Sequence, residues 1–139
     1  MIVMKFGGTS VADCAAITRT IGIVESKLQQ RPIVVVSALS KVTDLLYKIS
    51  DKARGKDNEG AADLLRQLRE RHLNLAAELI PYNAQLPADA CANIHRRCHQ
   101  PEYFVNDVCG LGELSERRKA LIIGNGENLA SSLICCHSN

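Results

Sequence analysis

Three features of the 139-residue chain point to an α/β fold with parallel strands at its N-terminal end. Ile2-Val3-Met4-Lys5-Phe6 reads as a strand that stops at the glycine pair Gly7-Gly8. Ile33-Val34-Val35-Val36-Ser37 is a β-branched run without polar alternation, the pattern of a strand covered on both faces. Between them Val11, Cys14, Ile17, Ile21, Val24 and Leu28 recur with helical spacing. Strand, helix and strand joined by so short a crossover form the unit from which parallel sheets are built.

The glycine pair lets the backbone adopt positive φ and approach a ligand closely, and Thr9 or Ser10 is the expected cap of a helix running to about Gln29. Pro32 ends the connection to the second strand. From Thr43 onward the chain reads as mostly helical, first over about Asp44 to Ala53, then past a polar break at Gly55 to Gly60 over Ala61 to Leu79. In the latter, Leu64, Leu65, Leu68, Leu75, Ala76 and Leu79 make an apolar stripe, with His72 at its edge as a partly buried helix histidine. Pro81 and Pro87 bracket a loop, Ala88 to Cys98 reads as a helix, and Pro101 to Asn106 as a short irregular passage. A last helix spans Ser115 to about Cys136, with Gly124 and Gly126 as a weak point or kink.

With 46% hydrophobic residues the chain can bury one core, so one domain is expected. A net charge of +2 without a basic stripe argues against nucleic acid as a partner. No apolar run is long enough to span a bilayer, and the start lacks the charged segment and long apolar core of a signal peptide. The six cysteines are therefore read as free thiols of a cytoplasmic protein, with Cys14, Cys109, Cys135 and Cys136 as small packing residues. Cys91, His95, Cys98 and His99 would share a helical stripe able to hold a soft metal. The knuckle spacing of structural zinc sites is missing, so no metal site is expected.

Chemistry concentrates in two loops, each following the carboxyl end of a strand, the edge at which open α/β sheets bind ligands. Gly7 and Gly8 offer backbone amides for an anion and Lys5 a formal charge, although a bare Lys-x-Gly-Gly serves equally as a turn. The second loop offers the hydroxyls of Ser37, Ser40 and Thr43 beside the start of a helix, which suits a small carboxylate but also ordinary capping.

The whole phrase Lys5-Phe6-Gly7-Gly8-Thr9-Ser10-Val11-Ala12 resembles the opening signature of the aspartate kinases, within the amino acid kinase superfamily. Ile33 to Leu46 is similar to that family's second strand and following loop. Gly112 to Arg118 and Gly126-Glu127-Asn128-Leu129 resemble, more loosely, its Gly-Glu-bearing helix. The resemblance implies the N-terminal portion of an αβα sandwich of the carbamate-kinase type, with a helix-rich C-terminal half. It also implies transfer of the ATP γ-phosphoryl group to the β-carboxylate of L-aspartate, the first step toward lysine, threonine and methionine, with Mg2+ carried by the nucleotide. Carried over to this sequence, Lys5, Gly7 and Gly8 become phosphate contacts supported by Thr9 and Ser10. Ser37 and Thr43 become aspartate contacts, and Glu127 receives the substrate's α-ammonium. Gly124-Asn125, Asn128 and Ala130 depart from the family pattern.

Aspartate kinases continue into a nucleotide-binding half and regulatory domains whose motifs residues 1–139 lack, so the chain is expected to be a truncated N-terminal piece of such a kinase, its amino acid substrate lobe. Two strands alone would leave a sheet edge and apolar faces exposed. The alternatives are a noncatalytic piece that pairs with a full-length kinase subunit or with itself, and a kinase of acetylglutamate, glutamate, carbamate or UMP. Those other kinases share the glycine pair but lack the Thr-Ser-Val and Val-Ser-Ala continuations.

Overall fold

The computed structural model describes residues 1–80 and 88–137, without the side chains of 88–91 and 136. Strand β1 (Ile2–Phe6) pairs in parallel with β2 (Pro32–Val36), in a register that sets Val3 beside Ile33 and Lys5 beside Val35. Helix α1 (Cys14–Glu25) forms the crossover. It is followed by α2 (Val42–Arg54), α3 (Asn58–Glu78), α4 (Ala88–Leu111), α5 (Glu116–Ile123) and α6 (Asn125–His137). The core lies among the helices and on one side of the sheet, where Ile17, Leu39, Val42, Leu46, Ile49, Leu68, Ile122, Leu129 and Leu133 are buried.

The crossover is broken where a single helix was expected. Gly8–Val11 is a 3-10 turn, α1 starts only at Cys14, and Leu28–Gln30 is a second 3-10 turn. Neither Thr9 nor Ser10 caps α1. Asp13 does, its carboxylate accepting the Ala16 N–H at 2.8 Å. The β-branched second strand is covered on one face only: Val3 is 68%, Ile33 49% and Val35 44% exposed, because no element among the described residues packs on that side.

The helical half also departs from the sequence pattern. Helix α3 starts at Asn58, three residues before the expected start at Ala61, and is capped by Asp57 through the Gly60 N–H. His72 is fully buried rather than at the stripe's edge. Pro101 does not interrupt α4, which continues through it to Leu111; the residue is buried, and α4 packs on α2, α3, α5 and α6. That packing holds the helix together across the missing N–H. The expected last helix divides at Gly124 into α5 and α6. The Pro81 to Pro87 loop lies outside the described residues. Cys135 is exposed rather than packed, while the Cys136 side chain lies outside the description.

Candidate functional site

Both strands deliver their chains to the same edge of the sheet. Past the strand ends the ladder gains one more bond, Ser37 N–H to the Phe6 carbonyl at 3.0 Å. Gly7 is extended (φ −77°, ψ 172°), and the turn after it closes through Ser10 N–H to the Gly7 carbonyl at 2.9 Å. Neither glycine of the pair uses positive φ. What Gly8 supplies is close approach: a Cβ there would lie 3.0 Å from the Ala38 carbonyl oxygen and 3.7 Å from the Ser40 nitrogen. Around Gly7 a Cβ would meet nothing within 4 Å, so its backbone faces open space in which a ligand has room.

The third motif reaches the same point from the other side. A Cβ on Gly126 would stand 2.8 Å from the Ala38 Cβ, 3.3 Å from Leu46 Cδ1 and 3.4 Å from Val42 Cγ1. Ala38, 4% exposed, is thus clasped between two glycines that belong to different motifs. A Cβ at Gly126 would force α6 away from the acceptor loop, and one at Gly8 would crowd that loop's backbone.

Other interactions hold this cluster in place. Thr20, buried in α1, donates from Oγ1 to the Ser10 carbonyl at 2.8 Å and ties the first loop to the crossover helix. Val11, Leu39 and Val42 anchor both loops in the core. Asn125 is buried, its side-chain amide donating to the Leu121 carbonyl at 2.7 Å, which fixes the start of α6. Nothing in the sequence marks Thr20, since a helix threonine ordinarily bonds back to its own helix.

Ser37 precedes Ala38 in the loop and Thr43 lies in the first turn of α2, both half-buried, while Glu127 is exposed in the first turn of α6 next to Gly126. Ser10 is half-buried and Thr9 exposed within the 3-10 turn. Lys5 stands apart from this packing, exposed on the open face of β1 two residues before Gly7. Lys41, to which no sequence motif assigns a role, precedes α2 with φ 66°.

Among the described residues no group of three or more His, Cys, Asp or Glu side chains, on α4 or elsewhere, gathers at one centre. His99 Nδ1 lies 3.0 Å from Glu102 Oε2, and Glu102 also accepts from Arg69 at 2.7 Å, bridging α4 to α3. Burial pushes the Cys98 thiol up to about 11, whereas His95 is exposed and the Cys91 side chain lies outside the description. His72, held down at about 4 by burial, binds the Leu68 carbonyl through Nδ1 at 2.7 Å and leaves Nε2 without a partner among the described residues. A cavity of about 280 Å3 between α3 and α4, lined by Asn58, Ala61, Leu65, Val105 and Cys109, contains none of the loop residues.

The family model of the amino acid kinase family matches residues 1–131. The chain belongs to the amino acid kinase family. Among its relatives, the aspartokinase of Chlamydia trachomatis is 36% identical over 138 residues, covering 98% of this chain and 27% of that protein. The chloroplastic bifunctional aspartokinase/homoserine dehydrogenase 1 of Zea mays is 34% identical over 124 residues, covering 81% of this chain and 13% of that protein. The fold of this kinase-family chain is that of E. coli aspartokinase III in complex with aspartate and ADP, with a TM-score of 0.75 at 26% identity. That match covers 96% of this chain and 28% of the other. The lysine and aspartate complex of the same enzyme gives 0.77 at 27%, with the same coverage. The chain therefore spans little more than a quarter, at most, of the length of these relatives.

Proposed function

We propose that the chain is the amino acid substrate lobe of an aspartate kinase, which transfers the γ-phosphoryl group of ATP to the β-carboxylate of L-aspartate to give 4-phospho-L-aspartate and ADP. The observation that carries this reading is the clasp around Ala38, which gathers the glycine-pair loop, the hydroxyl loop and the Gly126-Glu127 turn at one sheet edge. Support also comes from the solved relative, an aspartokinase in complex with aspartate and ADP.

A carboxylate with an ordinary pKa of about 4 is ionised at neutral pH and attacks without a general base. The reaction then asks for alignment of two anions and neutralisation of their charge. In this reading Lys5 and the Gly7 and Gly8 amides hold the transferring phosphoryl oxygens, with Thr9 and Ser10 in support. Open space around Gly7 fits that role. Ser37 and Thr43 hold aspartate by its carboxylates, and the Glu127 carboxylate receives its α-ammonium. Mg2+ arrives on the nucleotide, and the reaction belongs in the cytoplasm.

Radiolabelled phosphoryl transfer from MgATP to L-aspartate tests the assignment. Removing one positioned donor to the transition-state charge costs roughly a hundredfold to a thousandfold, so in a complete enzyme carrying this lobe Lys5→Ala should lower the rate by at least that much. An unchanged rate would remove Lys5 from the mechanism.

The exposed apolar face of the sheet favours a second reading, in which the chain is inactive alone and works against further kinase polypeptide, in a full-length subunit or a second copy. Turnover by the purified chain alone would eliminate it. Turnover appearing only when a complete aspartokinase with a disabled substrate lobe is added would support it.

A further inference from the structure

We propose that Lys41 is a second cation of the site, carried by the acceptor loop and contacting the anionic substrate, and that its left-handed backbone is kept because the charge is needed there. The inference rests on the reading of the loop cluster given above and adds a residue to it.

Among the described residues three non-glycines have positive φ: Arg31 at 52°, Lys41 at 66° and Lys56 at 58°. Two of these terminate helical segments, where a left-handed residue is the usual stop. Arg31 closes the Leu28–Gln30 turn with its N–H on the Leu28 carbonyl at 2.9 Å, and Lys56 follows α2 with its N–H on the Ala53 carbonyl at 3.0 Å. Lys41 stands at a beginning instead. The position before a helix normally takes an extended backbone and a short polar side chain that accepts an N–H of the first turn. Lys41 has φ 66° and ψ 0°, makes no such bond, and cannot, since an ammonium has nothing to accept with. Glycine or asparagine would take this conformation at lower cost.

The surroundings explain how the strain persists. Leu39 and Val42 on either side are 2% and 0% exposed, and the Val42 N–H is bonded to the Leu39 carbonyl at 2.9 Å. Meanwhile Ser40, the residue before Lys41, lies with its Cα only 3.8 Å from where a Gly8 Cβ would be. The bend is therefore dictated by the packing of the two loops on each other. Lys41 is exposed and has no ion-pair partner among the described residues. What it brings to the bend is positive charge, one residue from the point where the phosphate-side and acceptor-side loops touch. Transfer between two anions rewards cations on both sides of the junction.

The test is calorimetric titration of the 139-residue chain with L-aspartate in the presence of inorganic triphosphate, for the parent and for Lys41→Gly, Lys41→Asn and Lys41→Arg. Replacing a charge-assisted hydrogen bond by a neutral group weakens binding by about tenfold or more. The Gly and Asn variants should therefore bind aspartate at least about tenfold more weakly and with a shallower salt dependence, while melting no lower than the parent because strain is relieved. The Arg variant should stay within a few-fold of the parent. Gly and Asn variants that bind as tightly as the parent would overturn the inference and leave the loop reading intact. A parent that binds neither probe would overturn the loop reading and this inference with it.

Discussion

Replacing Gly126 by alanine probes the clasp that joins the three motifs. The new methyl would stand 2.8 Å from the Ala38 Cβ, with Leu46 and Val42 at 3.3 and 3.4 Å. Side-chain carbons in a packed core do not sustain the first of these distances, and all three neighbours are buried at 4% exposure or less. Helix α6 must therefore shift off the acceptor loop. Overpacking of this kind costs about 1–3 kcal/mol. The gain from replacing glycine within a helix is at most about 1 kcal/mol and is smaller in the first turn, where Gly126 sits. The expected balance is a loss of about 1–2 kcal/mol. Gly22 provides the control, because it lies inside α1 and a Cβ there would meet nothing within 4 Å. Gly22→Ala should stabilise by up to about 1 kcal/mol. For a domain of this size each kcal/mol moves the melting temperature by roughly 3–5 °C. Thermal unfolding followed by circular dichroism should show Gly126→Ala melting roughly 3–10 °C below the parent and Gly22→Ala a few degrees above it. If both variants melt higher, the clasp around Ala38 does not constrain the fold and does not hold the loop cluster together.

Other consequences concern the helical layer. His72 is neutral in the folded chain, with its pKa held at about 4 against an ordinary value of 6.5, chiefly by burial. The unfolded chain binds the extra proton first, so the stability His72 allows is fully present above pH 6.5 and is lost as pH falls toward about 4. The loss is on the order of 3 kcal/mol, and His72→Phe should flatten the urea-midpoint profile across that window; an unaltered profile would show that His72 is not its source. Cys98, buried and raised to about 11, should resist thiol reagents at neutral pH while exposed Cys135 reacts, as peptide mass mapping would read; labelling of both at equal rates would contradict the packing.

The sheet and its loops are legible in the sequence because the information is local. A β-branched run, a glycine pair and a helical repeat each announce themselves within a few residues, and the strands form within one residue of where the pattern puts them. Helix boundaries are less legible. Asp13 and Asp57 cap their helices where hydroxyls or the leucine stripe suggest other starts, since several nearby residues could cap and only the packed chain selects one. Pro101 reads as an interruption, yet burial of α4 against four other helices outweighs the hydrogen bond that proline forfeits.

The order of residues alone determined that the chain carries a strand-bordered glycine turn, a hydroxyl-rich second turn and a Gly-Glu step, because each rests on side-chain type and spacing. The reason for two of the glycines was decided only in three dimensions. Gly8 and Gly126 are 118 positions apart, and their shared requirement arises from one buried residue, Ala38, that both must approach. The left-handed bend at Lys41 has the same origin. Packing between segments distant in sequence sets the backbone there against the local preference of the residue, and no window of sequence contains both segments.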